Sequence, residues 1–337
     1  MSILNGKESN FEFYDTESIE NLYYNISRCK MADTKENVII NKIDKDKLKN
    51  ELMNINIGDI EKILKQYLNA YKKDFKYLKK FKSNHILKCI DFINREKDII
   101  IIKEDADTNL YKYIKSKNEG LEIDEIKYIF SQINNIIKLL RKDNKIHTCI
   151  CSQNLYIKCN DINMNDKDYI VKLSDFGCIS KLEIQLKIQL NIKNKLNYLA
   201  PELFELNDKI DFNLIDKADL WSLGILLFFL RYNRLPNEEE LKNRETLKDE
   251  DHLLTDILDK LLVKEPDKRI SWENYFNHAF FENGNNKKET NENETKNEED
   301  GIVNQNKKEI RNIEYNNGDK YSGEYLNNKK EGYGILI

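Results

Sequence analysis

The sequence predicts an α+β fold, with a small β-rich N-terminal part, a larger helical part and a short β unit at the C-terminus. Residues 21–48, NLYYNISRCKMADTKENVIINKIDKDKL, alternate apolar and polar like two strands around a turn at Asp33–Asn37. From Ile60 onward, long segments carry apolar residues at helical spacing. Glycine is scarce, at 11 in the chain, and four of those lie in its last 20 residues, which sets the C-terminus apart.

Composition bounds the rest. The 337 residues can hold one two-lobed domain of about 270 residues plus something small. A hydrophobic content of 40% is enough for a substantial core. The formal charge of −4 exerts no general pull toward nucleic acid or anionic membrane, so no nucleic-acid partner is expected. Six cysteines at irregular spacing read as reduced thiols rather than a disulfide framework, and a cytoplasmic location is expected. No apolar run approaches the roughly 18 residues that a membrane span needs.

In chain order, residues 1–19 read as a flexible polar leader and residues 20–282 as the main domain. After the meander, Gly58-Asp59 can start a helix over Ile60–Phe81, with apolar residues at 60, 63, 64, 68, 71, 75 and 78. Two strands follow, ILKCIDFI and DIIIIKEDAD. Then come the helices LYKYIKSK and EIDEIKYIFSQINNIIKLLRKDN. Further on, DKADLWSLGILLFFL is nearly all apolar, as a helix buried on every side must be. LLVKEPDKRISWENYFNHAFF closes the domain. Residues 283–308 are almost purely polar and read as a disordered linker.

The chemistry concentrates between Lys145 and Gly177. KIHTCICSQNLYIK is followed by a polar insert and then YIVKLSDFG. A carboxylate just past a buried strand, followed by Phe and Gly, suits a metal–phosphate site, because Asp175 can ligate Mg²⁺ and Gly177 lets the backbone turn. This stretch resembles the core of the eukaryotic protein kinase family, whose catalytic loop reads H-R-D-x-K-x-x-N. His147 and Asn154 match it. Further matches fall in family order: Asp175-Phe176-Gly177, Tyr198-Leu199-Ala200-Pro201-Glu202, Asp219 and Arg269. The resemblance implies a bilobal kinase fold over 20–282. It also implies structural roles for His147, Phe176, Glu202, Asp219 and Arg269, with Asp219 holding the catalytic loop from below and Arg269 pairing with Glu202.

The departures fall on the chemistry. Thr148 stands at the loop Arg, Cys149 at the catalytic Asp and Cys151 at the loop Lys. The strand that should carry the ATP-binding Lys places Ile39 at the family's Ala and Asn41 at the Lys; Lys42, one step on, points the other way unless the strand slips. No glycine lies between Lys7 and Ile57, where the family has a Gly-rich phosphate loop. Asp74 falls at the helix Glu that pairs with the strand Lys, and its alternative is a solvated helix charge. Lys103 sits at the gatekeeper position, where it is expected to reach Asp74 or Asp175 or else to snorkel outward. Glu104 to Ala106 would form the hinge that offers backbone groups to an adenine, over which Ile39 would crowd.

Between Cys178 and Ala200 the only hydroxyl residues are Ser180 and Tyr198, so the usual phosphorylation site is missing together with the loop Arg that would receive it. Asn154 and Asp175 could still hold Mg²⁺, which leaves weak Mg-ATP binding open. A zinc reading of His147, Cys149, Cys151, Cys159 and Cys178 lacks the usual C-x₂₋₄-C pairs. The C-terminal IEYNNGDKYSGEYLNNKKEGYGILI resembles one membrane-occupation-and-recognition-nexus (MORN) repeat through Tyr315, Gly318, Tyr321, Gly323, Tyr325, Gly332 and Gly334. Residues 309–337 are therefore expected to form a β-hairpin repeat, and a single repeat needs a partner to cover its face. The resemblance as a whole implies a pseudokinase that binds a protein partner, with membrane or cytoskeleton contact through the tail. The alternative is an active, divergent Ser/Thr kinase.

Overall fold

The computed structural model describes residues 3–5, 10–13, 19–20, 24–31, 33–54, 59–143, 145–148, 150–159, 169–174, 197–204, 216–242, 249–282, 309–314, 320–326 and 329–336. The chain divides into two compact units, Met1–Asn283 and Gly284–Ile337.

The first unit begins with a sheet in the order β1-β2-β4-β5-β7-β6, with β3 on β4. Its strands are β1 (Ile3–Asn5), β2 (Asn10–Phe13), β3 (Ile19–Glu20), β4 (Tyr24–Met31), β5 (Asn37–Asp44), β6 (Cys89–Asn94) and β7 (Asp98–Glu104). The meander around Asp33 is present, and Lys35 takes the left-handed conformation its turn requires, at φ 60°. Two expectations are corrected. The leader is not featureless, because β2 pairs with β4, Phe11 opposite Met31, and β1 pairs with β2. The β pattern also stops sooner than the alternation suggests. Helix α1 (Lys45–Asn54) starts where the Asp44 carboxylate accepts the peptide N–H groups of Asp46 and Lys47 at 3.1 and 2.9 Å.

Helix α2 (Ile60–Lys80) starts at the N-cap Asp59, whose side chain accepts the Lys62 N–H. Beyond β7, the short β8 (Thr108–Asn109) joins β9 (Leu155–Cys159) and β10 (Tyr169–Leu173) in a second sheet, ordered β10-β9-β8. Asn109 then caps α3 (Leu110–Lys115), and α4 (Ile123–Lys142) follows. Helix α5 (Ala218–Tyr232) is buried at every residue from Ala218 to Leu230, so it can only be the centre of the large apolar core. Its Gly224 is required by packing: a Cβ there would lie 2.8 Å from Leu262 Cδ2 and 2.9 Å from Leu261 Cβ. Helices α6 (Glu238–Lys242), α7 (His252–Leu261) and α8 (Trp272–Phe276) follow among the described residues.

The described strands of the second unit, β11 (Glu309–Glu314), β12 (Lys320–Leu326) and β13 (Lys329–Leu336), form an antiparallel sheet ordered β11-β12-β13. Tyr321, Gly323 and Tyr325 alternate along β12 and Gly332 and Gly334 along β13, while Tyr315 and Gly318 lie outside the described residues. Among the described residues, no helix is long and apolar enough to cross a membrane.

Candidate functional site

The site is built where the first sheet meets the second. In the β5–β7 register Ile39 faces Lys103 and Asn41 faces Ile101, while Arg28 of β4 stands opposite Ile39. The strand does not slip. Asn41 is buried, and its Oδ1 has no hydrogen-bond partner among the described residues. Lys42 is exposed, with its ammonium 3.4 Å from Asp98. A cation at position 42 therefore points to the opposite side of the strand from the buried Asn41.

Ile39 and Ala106 belong to one buried apolar cluster with Leu87 and Tyr156, and Ile26 packs against it. Lys103 does not snorkel outward. It is 1% exposed, and its Nζ donates to Ser174 Oγ at 3.0 Å, one residue before Asp175. A hydroxyl acceptor offsets part of what burying an ammonium costs. At the hinge, the Glu104 carboxylate accepts the Lys88 N–H at 2.7 Å and the Lys172 ammonium at 2.9 Å. Arg28 donates from Nη2 to the carbonyls of Ala106 and Asp107, at 2.5 and 2.6 Å.

The loop after α4 hangs from α5. The Asp219 carboxylate accepts the His147 and Thr148 N–H groups, and Thr148 is held at φ 58°. Cys151 is fully buried in the large core, so position 151 is packed inward. Asn154 is also buried; its N–H donates to the Cys151 carbonyl, and its own carbonyl accepts the Ser174 N–H at 2.8 Å. Tyr198 and Ser152 share a hydrogen bond of 2.9 Å, and Ser222 Oγ donates to the Tyr198 carbonyl. Burial drives the Tyr198 hydroxyl well above its ordinary pKa, so this side chain is an enclosed neutral strut.

Arg269 is enclosed and makes a two-pronged pair with Glu202, at 2.7 and 3.0 Å. It also donates to the carbonyls of Lys217 and Val263. The structure thus joins Glu202 to Arg269 and Asp219 to the His147 loop, groups Ile39 with Ala106, and links Lys103 to Asn154 through Ser174. Cys149, Asp175 and Phe176 lie outside the described residues, and of Asp74 only its place on α2 is described. Among the described residues no group of His, Cys, Asp and Glu is arranged to hold a metal. Sequence reasoning missed Arg28, Ser174 and the Glu104–Lys172 pair. Arg28 reads as an ordinary exposed strand residue, and its acceptors lie 78 and 79 positions away.

The Protein kinase domain family matches residues 25–281. The chain is 28% identical over 228 residues to Serine/threonine-protein kinase atg1 of Dictyostelium discoideum, covering 63% of this chain and 32% of that protein. It is 31% identical over 168 residues to SNF1-like protein kinase ssp2 of Schizosaccharomyces pombe, covering 50% of this chain and 27% of that one. The chain thus spans under a third of the length of these curated relatives. The crystal structure of Rad53 1-466 in complex with AMP-PNP shares the fold, with a TM-score of 0.58 at 18% identity, over 80% of this chain and 65% of that one. A family match over three quarters of the chain, on a sheet-plus-helices domain whose loop hangs from a buried central helix, makes this chain a member of the protein kinase family.

Proposed function

We propose that this protein is a catalytically impaired protein kinase, a pseudokinase, whose domain serves as a binding or scaffold module for a protein partner. The observation that carries the reading is the strand position facing the cleft: it holds the buried amide of Asn41, while Lys42 is turned outward onto Asp98. Phosphoryl transfer is catalysed by positioning and by neutralising charge on the moving phosphoryl group. Asn41 is neutral, and Cys151 is packed into the core. Cys149 replaces the carboxylate that would orient a substrate hydroxyl, and a free thiol near pKa 8.5 is mostly protonated at neutral pH. Loss of one such acid–base group alone commonly lowers rates by about 10²–10⁴. Asn154 and Asp175 leave a weak site for Mg-ATP.

The test is transfer of the γ-phosphoryl group from labelled ATP, with Mg²⁺, to the protein itself and to a generic acceptor protein. No label above an ATP-only control is expected. Label that disappears on Asp175→Asn would establish the second reading, an active Ser/Thr kinase. That reading is favoured by the intact Asp219 and Glu202–Arg269 framework and by the Ser/Thr kinases among the relatives.

The C-terminal strands over 309–337 serve in the same reading as a MORN-like docking element toward a protein partner, membrane or cytoskeleton in the cytoplasm. Removing 309–337 should release the protein from its site in the cell. An unchanged distribution would refute that role.

A further inference from the structure

Several described residues that the family resemblance assigns to a nucleotide make contacts within the chain, though Glu104 does so through its carboxylate and Asn154 through its backbone carbonyl. Ile39 and Ala106 pack with Leu87 and Tyr156, Lys103 reaches Ser174, Glu104 takes Lys172, and the Asn154 carbonyl takes the Ser174 N–H. Arg28 stands opposite Ile39 in the β4–β5 register. Its guanidinium spans to the hinge, donating to the Ala106 and Asp107 carbonyls and lying 3.4 Å from the Asp105 carboxylate. On the other side of the hinge, Lys158 of β9 lies 3.9 Å from Asp105 and 3.7 Å from Asp107. The hinge is therefore tied to both sheets at once.

We infer that Arg28 is a clasp that holds β4 to the hinge beside the apolar cluster of Ile39, Leu87, Ala106 and Tyr156, so that nucleotide enters only after the clasp releases. The inference rests on the reading of the domain as an impaired kinase and gives a physical cause for the weak nucleotide affinity that this reading proposes. A guanidinium on two carbonyls makes charge-assisted bonds in a fixed fork geometry. Those bonds persist only while β4 stays close to the hinge. The resemblance places an adenine beside Ala106, in the cluster that Ile39, Leu87 and Tyr156 form. The binding-competent state is then a minor one, and apparent affinity falls by the fraction of molecules that are open.

The experiment is equilibrium titration of Mg-ATP into the full chain as wild type, Arg28→Ala, Ile39→Ala and the double variant. Arg28 is an exposed side chain, so Arg28→Ala should keep the fold, which circular dichroism checks. Releasing one charge-assisted bond of about 1.4 kcal/mol corresponds to about tenfold tighter binding. Deleting a cation near an anionic ligand would by itself weaken binding, so the expected change has the opposite sign to a simple charge effect. Tighter binding by Arg28→Ala, or by the double variant relative to Ile39→Ala alone, supports the clasp. No gain in either comparison, or wild-type binding as tight as that of the variants, overturns it. Phosphoryl transfer measured on the same proteins is a separate readout. Transfer gained with the clasp open would refute the impaired-kinase reading while leaving the clasp intact.

Discussion

The Asp219 carboxylate holds Thr148 in a backbone conformation that a β-branched residue rarely adopts. Its two oxygens lie 2.7 Å from the peptide nitrogens of His147 and Thr148, and Thr148 has φ 58°. The left-handed region costs a non-glycine residue about 1–2 kcal/mol. Bonds from two N–H groups to a buried carboxylate outweigh that cost.

Asp219→Asn keeps the volume but offers one acceptor where two N–H groups converge. A loss of about 2–4 kcal/mol is expected in urea unfolding. Thr148→Gly removes the strain along with a small buried side chain, and it should cost clearly less than Asp219→Asn. The reverse order would show that Asp219 is not what holds the loop.

Glu202 and Arg269 form a pair in which the guanidinium side chain is wholly enclosed and the carboxylate nearly so. Removing one partner strands the other charge, so Glu202→Gln or Arg269→Met should destabilise by about 3–5 kcal/mol. The Glu202→Gln/Arg269→Met double variant should lose less than the sum of the two. Additive losses in chemical denaturation would mean that the two charges are not coupled.

Gly224 lies where α5 and α7 approach too closely for a side chain, since a Cβ would stand 2.8 Å from Leu262. Gly224→Ala gains about 1 kcal/mol of helix propensity. It must also push apart two leucines in a close-packed core, at about 1–3 kcal/mol. A lowered melting temperature is expected, and Gly224→Val should lower it further. A melting temperature raised by Gly224→Ala would show that the contact relaxes at little cost.

His278 gives the domain an acid-sensitive limb. Burial, and then the Lys260 ammonium, lower its pKa from the ordinary 6.5, against the opposing pull of Asp256. Its Nδ1 accepts the Phe280 N–H, and its Nε2 lies 3.0 Å from Asp256. Both contacts suit a neutral ring. A depressed histidine means that the unfolded chain binds more protons than the folded one, so stability is full above about pH 6.5 and falls as pH drops through the folded value. The Asp256 carboxyl is lowered as well, chiefly by Lys260, so its contribution is lost only in the carboxylate range below. Melting temperature against pH should therefore decline from about pH 6.5 downward in the wild type. His278→Gln should flatten the upper part of that decline, and an unchanged slope would exclude His278 as its source.

Much of this domain was legible in its sequence, for local reasons. The alternation of NVIINKID, the cap at Asp59 and the apolar run of α5 depend on neighbouring residues, and each matches an element the structure contains. The motif Tyr198–Glu202, with Asp219 and Arg269 in order, announced contacts that span 67 to 72 positions, because the family's spacing carries that information. Lys45–Leu48 was misread because the β alternation runs on past Asp44, whose capping role shows only once its carboxylate is seen to turn back onto two N–H groups.

What the sequence alone determined is the kinase fold; that Asn41, Thr148, Cys149 and Cys151 stand where the family carries its chemical groups is what the resemblance implies. Which way the remaining cations point was decided by tertiary structure. The β5–β7 register turns Lys42 out to Asp98, and burial aims Lys103 at Ser174. The meeting of two sheets carries Arg28 to the hinge carbonyls. A long, flexible, charged side chain has no preferred partner in its own segment. Its partner is set by whichever oxygen the folded backbone brings within reach, and that is a property of packing rather than of local sequence.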